Sequence, residues 1–173
     1  MSQAEIAGGK VNPKGELPRT GYRLRDFVLQ SVDGHAVRLS DYRGVSNLIL
    51  IFNARSQDCV DLLRDLASHY SNVRAELAEA LVITPESVIR KDSPQLPFPV
   101  LADAERLIQA EYGLQSGGDS ISGVFIADRF GELAASYVGP EVTNATSASI
   151  LKWLEFVNSQ CPECEPPEWP LEE

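Results

Sequence analysis

The chain has few of the residues from which most recognisable sites are built. Its 173 residues include three cysteines and two histidines. Three unevenly spaced cysteines are too few for the disulfide framework of a small secreted domain. Basic side chains are also scarce, 15 Lys and Arg against 25 Asp and Glu, for a formal net charge of -10. Such a surface repels phosphate backbones and anionic bilayers, so neither nucleic acid nor membrane is expected as a partner. The longest apolar run, Leu48–Phe52, falls far short of the roughly 18 residues of a membrane span. There is no Gly-rich phosphate loop, no serine nucleophile elbow, no internal repeat and no low-complexity tract. The opening stretch MSQAEIAGGKVNPKGELPRTG lacks the charged-then-apolar order of a secretory leader and any lipidation motif, which makes the cytoplasm the expected location.

What remains is enough for one core. Hydrophobic residues make up 43% and charged residues 23% of the chain, the balance of a globular domain of ordinary size. Residues 1–20, rich in Gly, Pro and Lys without a hydrophobic period, are expected as a loose arm; residues 21–160 carry the domain, and residues 161–173 form an irregular tail. DFVLQSVDGHAVRLSDYRG alternates around Asp33-Gly34, which predicts a two-residue hairpin turn. Leu48–Phe52 reads as a strand covered on both faces.

From Ser56 the apolar positions Cys59, Leu63, Leu66, Tyr70, Val73 and Leu77 follow a helical period and predict one helix. Further strands are expected at Leu81–Thr84 and just after Pro97-Phe98-Pro99. A helix is expected over Asp103–Tyr112, a hairpin around Asp128–Gly131, and a last helix from Asn144 to Gln160 with Ile150, Leu154 and Val157 inward. Strand, helix, strand, helix in that order implies parallel pairing. Trp153 and Phe156 read as helix packing, and His35 and His69 as solvated surface residues without a carboxylate partner.

Cys59 stands at the seam between strand and helix. With Ser56 as N-cap it is the third helical residue, where unpaired N–H groups and the positive end of the helix dipole favour an anionic sulfur. Arg55 and Arg64 add to that effect; Asp58 and Asp61 oppose it. Cys59 also continues the apolar face of its helix, so a reactive thiol and a packed one are both consistent with the pattern. Cys161 and Cys164, in Cys-Pro-Glu-Cys, lie at the end of a helix among Glu155, Glu163, Glu165 and Glu168. That setting holds both thiols protonated and makes them poor first attackers. They remain able to resolve an oxidised cysteine, to close their own disulfide, or to supply half of a zinc site completed by a second protomer. No cofactor is expected.

Taken in order, DFVLQSVDGHAVRLSDYRG, LILIFNARSQDC, LPFPVLADAERLIQAEYGL and GVFIADRFGEL resemble the landmarks of the peroxiredoxins of the alkyl hydroperoxide reductase and thiol-specific antioxidant group. The resemblance covers about Gly21 to Val138. It implies an α/β, thioredoxin-like three-layer fold: a central mixed sheet flanked by helices, with an N-terminal β-hairpin. It also implies an antioxidant thiol oxidoreductase that takes a hydroperoxide and a thiol reductant. Ser56-Gln57-Asp58-Cys59 looks like the peroxidatic motif, with Cys59 attacking the O–O bond, Ser56 capping its helix and donating to the thiolate or peroxide, and Cys161 or Cys164 resolving. The chain departs from the family at two positions. Phe52 stands where the family has proline, and Ser122 where it brings an arginine to the thiolate, leaving Arg55, Arg64 or Arg129 as substitutes. The alternative implied by those departures is an inactive thioredoxin-fold binding module, forming a homodimer through a CPEC zinc site.

Overall fold

The computed structural model of the chain describes residues 10–52, 57–85 and 96–160. Its framework is a seven-stranded sheet. Strands β1 (Val28–Ser31) and β2 (Ala36–Arg38) form the expected hairpin. The turn differs from the expectation by one residue. Ser31 N donates to His35 O (2.7 Å) and Gly34 N to Ser31 O (2.9 Å), leaving Val32, Asp33 and Gly34 as a three-residue loop. Gly34 takes the left-handed conformation, φ 90°, that closes such a loop at no steric cost.

Strand β3 (Asn47–Phe52) is buried along its whole length. It pairs in parallel with β4 (Ala78–Thr84), which pairs in parallel with β5 (Val100–Ala102). A two-stranded ribbon, β6 (Gln115–Ser116) and β7 (Asp119–Ser120), turns at Gly117-Gly118, where only a loop was expected. Strands β8 (Gly123–Ala127) and β9 (Leu133–Val138) complete the sheet, β8 running antiparallel to β3. The order across the sheet is β2-β1-β5-β4-β3-β8-β9.

Alternation along the strands divides the core into two layers. Ile49, Ile51, Ala80, Val82, Val124 and Ile126 face one side, where helices α1 (Gln57–Ser68), α2 (Tyr70–Ala75) and α4 (Ser147–Ser159) cover them with Cys59, Leu62, Leu66, Val73, Ile150 and Leu154. Leu48, Leu50, Phe52, Leu81, Ile83 and Phe125 face the other, under Leu24, Phe27, Leu39 and Tyr112. Thus the uninterrupted apolar run of β3 is required by burial on both faces.

Three expectations change here. The helix from Ser56 onward is two helices, broken at His69, and Leu77 is 63% exposed with φ 55°. Its spacing continues the helical period, yet it lies in the turn into β4. The helix expected over Asp103–Tyr112 is the shorter α3 (Leu107–Glu111), because Arg106 is left-handed at φ 56°. The Asp103 carboxylate accepts from the N–H groups of Ile108 (3.3 Å) and Gln109 (3.0 Å), satisfying donors that a helix start leaves open.

Residues 10–20, expected as a loose arm, are fastened to the domain. Asn12 is buried, with its Oδ1 accepting from Arg19 N (2.7 Å) and its Nδ2 donating to Arg23 O (3.2 Å). Gly15 N donates to Glu111 O (2.8 Å). At Gly113, φ 70°, a Cβ would sit 2.6 Å from the backbone of Glu16 and Leu17, so this contact admits only glycine.

Candidate active site

The site is assembled at the carboxyl end of the central parallel strands. There β3 ends at Phe52, and α1 starts within the described chain at Gln57 with Cys59 as its third residue. The residues 53–56 that join them, including Arg55 and Ser56, lie outside the described residues. So do Cys161 and Cys164. The expectations for Ser56 as cap, Arg55 as activator and the CPEC pair as resolving thiols or half zinc site are therefore not placed.

Cys59 faces inward because residues 59, 62, 63 and 66 share one side of α1. Its side chain has 0% exposure. The sulfur lies 4.0 Å from the Phe52 carbonyl oxygen, the reach of a weak S–H donor. Both acids flanking it in sequence point away: Asp58 and Asp61 are exposed, and Asp61 accepts from Gln57 Nε2 (3.0 Å). Arg64 is exposed too, five residues on and hence about 140° around the helix from Cys59.

Strand direction locates the other candidates. Gly123 pairs with Phe52 and Ala127 with Leu48. Ser122 is therefore beside the carboxyl end of β3, near Cys59. It is 7% exposed, and its carbonyl accepts from Gly139 N (2.9 Å). Arg129 follows β8 and lies at the amino end of β3, where its guanidinium stacks 5.1 Å over Phe130. A distance of about five strand residues, some 16 Å, separates it from Cys59, which rules against it as the activating arginine.

Two residues missed in the sequence belong to this region. Thr84 ends β4 on the face that Ala80 and Val82 share with Cys59. It is buried, and its Oγ1 finds no hydrogen-bond partner among the described residues. The only sequence signal was a hydroxyl closing the run Ala80–Ile83 before Pro85. Asp65, on α1, accepts from Ser147 N (2.7 Å) and Ser147 Oγ (3.0 Å) at the start of α4. This carboxylate pins the cysteine helix to α4 and complements the positive end of α4's dipole. His69 was expected to have no carboxylate partner; its Nδ1 lies 3.2 Å from Asp65 Oδ1. Trp153 packs on the core as expected, and its Nε1 donates to the Tyr137 hydroxyl (3.2 Å).

Among the described residues no cluster of His, Cys, Asp and Glu is suited to hold a metal ion, and no helix is long and apolar enough to cross a membrane.

A mixed sheet between helical layers, with a cysteine at the head of the helix that follows a central strand, defines the thioredoxin-like class in its peroxiredoxin form. The AhpC/TSA family profile matches residues 20–136, and the chain belongs to that family. Two peroxiredoxin-named proteins, from the CDC 1551 and H37Rv strains of Mycobacterium tuberculosis, are each 25% identical over 136 residues, covering 71% of this chain and 87% of theirs. Among solved structures, peroxidoxin BcpB of M. tuberculosis superposes with TM-score 0.69 at 20% identity, over 80% of this chain and 97% of its own. The reduced 2-Cys peroxiredoxin of Plasmodium vivax superposes with TM-score 0.71 at 17% identity, over 88% and 90%. At those identities the superpositions show the shared fold.

Proposed function

We propose that the protein is a thiol-dependent peroxidase whose peroxidatic residue is Cys59. The observation that carries this reading is the position of Cys59 in the first turn of α1, at the carboxyl end of β3, in a chain of the AhpC/TSA family. In the reaction the Cys59 thiolate attacks one oxygen of a hydroperoxide. The O–O bond breaks, an alcohol or water leaves with one proton, and the sulfur becomes a sulfenic acid. A thiol then displaces water to form a disulfide, and a second thiol restores Cys59. Ser56 and Arg55 are the proposed donor and cation beside the reacting sulfur, with Arg64 the more remote candidate; Cys161 and Cys164 are the chain's own candidate reductants.

Because Cys59 is fully buried, attack requires the first turn of α1 to open. Local opening of this kind is what the low-stability end of a domain supplies. The test is one equivalent of hydrogen peroxide followed by mapping of cysteine states by mass spectrometry. Conversion of Cys59 to a sulfenic acid or mixed disulfide, with stoichiometric loss of peroxide, is the expected result. A free Cys59 thiol with peroxide unconsumed sinks the reading.

The full burial of the sulfur, together with serine rather than arginine at position 122, favours a second reading: an inactive binding module that dimerises through zinc held by Cys161 and Cys164. Metal analysis of freshly purified protein separates the two. One zinc per dimer, lost in Cys161→Ala, supports the module.

A further inference from the structure

Thr84 departs from the rule that buried hydroxyls are bonded. It is 4% exposed, and its Oγ1 has no hydrogen-bond partner among the described residues. Buried Asn47, at the amino end of β3, follows the rule. Its Nδ2 donates to Asn158 Oδ1 (2.8 Å), and Asn158 Nδ2 donates in turn to the Glu76 carbonyl (2.9 Å).

Strand register places Thr84 beside the cysteine. Ile83 pairs with Phe52 across β3 and β4, and Thr84 is the next residue, the last of β4. Its side chain follows the parity of Ala80 and Val82, both in the core layer that contains Cys59. Neighbouring strands lie about 4.8 Å apart with about 3.3 Å per residue, which sets the Cα atoms of Thr84 and Phe52 about 6 Å apart. The Cys59 sulfur in turn lies 4.0 Å from the Phe52 carbonyl oxygen. Sulfur and hydroxyl therefore share one face at one end of adjacent strands. On the other side of β3, Ser122 precedes Gly123, the partner of Phe52, and shares the parity of Val124 and Ile126. When the first turn of α1 opens to admit a peroxide, Thr84 stays where it is, because β4 is held between β3 and β5. A fixed donor in a water-poor site meets developing charge without rearranging.

We infer that Thr84 is a catalytic residue whose hydroxyl donates to the leaving oxygen of the hydroperoxide. The inference rests on the peroxidase reading and adds to it the group that receives the departing oxygen, whereas Ser56 and Arg55 act at the sulfur. An electron pair of the Cys59 thiolate forms the S–O bond to the terminal oxygen, which keeps its proton. The O–O bond breaks and its electron pair leaves on the second oxygen, which is held by Thr84 and takes a proton from water. Sulfur is oxidised by two electrons and the peroxide is reduced by the same two.

The test compares wild-type, Thr84→Val and Thr84→Ser proteins in two reactions, each followed at Cys59 by mass spectrometry: oxidation by hydrogen peroxide and alkylation by iodoacetamide. Alkylation needs the same opening and the same thiolate, but its leaving group is iodide rather than oxygen. Oxidation of Thr84→Val is expected to slow by about tenfold or more, with Thr84→Ser close to wild type and alkylation equal in all three. Oxidation of Thr84→Val at the wild-type rate overturns the inference while the peroxidase reading stands. So does an equal loss in Thr84→Ser, or a parallel loss of alkylation, which would make Thr84 a determinant of opening or of thiolate formation. A wild-type Cys59 that stays a thiol with peroxide unconsumed removes the peroxidase reading itself, and this inference with it.

Discussion

The two ends of β3 are built on opposite terms. At the amino end every polar group named above is engaged: Asn47 donates from Nδ2 both to Asn158 Oδ1 (2.8 Å) and to the Glu76 carbonyl (3.0 Å), and Asn158 returns a bond to the same carbonyl. At the carboxyl end a buried hydroxyl is left over among the described residues. Thr84 Oγ1 is buried with no hydrogen-bond partner among the described residues, and the Cys59 sulfur lies 4.0 Å from the Phe52 carbonyl oxygen. Buried polar groups are nearly always paired, and an unpaired hydroxyl costs about 1–3 kcal/mol. One end is thus a clamp that stabilises the fold, and the other holds a buried hydroxyl that the described residues leave unpaired.

Substitutions can break that contrast. The largest effect is expected from Cys59→Ser, which abolishes peroxide consumption while leaving the melting temperature within a few degrees, since the exchanged atoms are similar in size; calorimetry and a peroxide assay check both halves. Asn47→Ala removes two buried hydrogen bonds at the clamped end. It costs about 2 kcal/mol and lowers the melting temperature by roughly 4–8 °C, with the rate of Cys59 oxidation unchanged per folded molecule. Thr84→Val, at the other end, replaces an unpaired hydroxyl with a methyl and leaves stability level or up to about 1 kcal/mol higher. Equal losses from Asn47→Ala and Thr84→Val in denaturant titrations would erase the distinction between the ends.

The smallest effect concerns pH and lies in the core layer on the face of the sheet opposite Cys59. Burial, and secondarily the Asp26 charge, push the Tyr112 phenol well above its ordinary value of 10.0. The folded state holds that proton more tightly than the unfolded state. Stability is then independent of this group below about pH 10 and falls as pH rises above it, a slope that Tyr112→Phe would remove.

How far these features could be read in the sequence depended on what held each one. Leu48–Phe52 is apolar at every position because both faces are covered, so its depth in the sheet was legible. Leu77 misled, because its spacing obeys the helix period while its backbone is left-handed in a turn. Residues 10–20 look like an arm by composition; what fastens them is a buried Asn12 side chain and backbone bonds to distant segments, which leave no periodic trace. The position of Cys59 at a helix start was evident from its neighbours. The value of Thr84 and the remoteness of Arg129 were not, since both follow from which strands lie side by side and in which direction.

The Asp65 carboxylate, bonded twice to Ser147, has a kinetic consequence. Six residues after Cys59, it anchors the lower part of α1 to α4, so transient unwinding that frees the sulfur is confined to the turns before it. Amide hydrogen exchange should divide α1 there: fast and peroxide-sensitive protons from Gln57 to about Arg64, slow ones beyond. In Asp65→Ala that boundary dissolves, and the whole helix opens as one unit with α2.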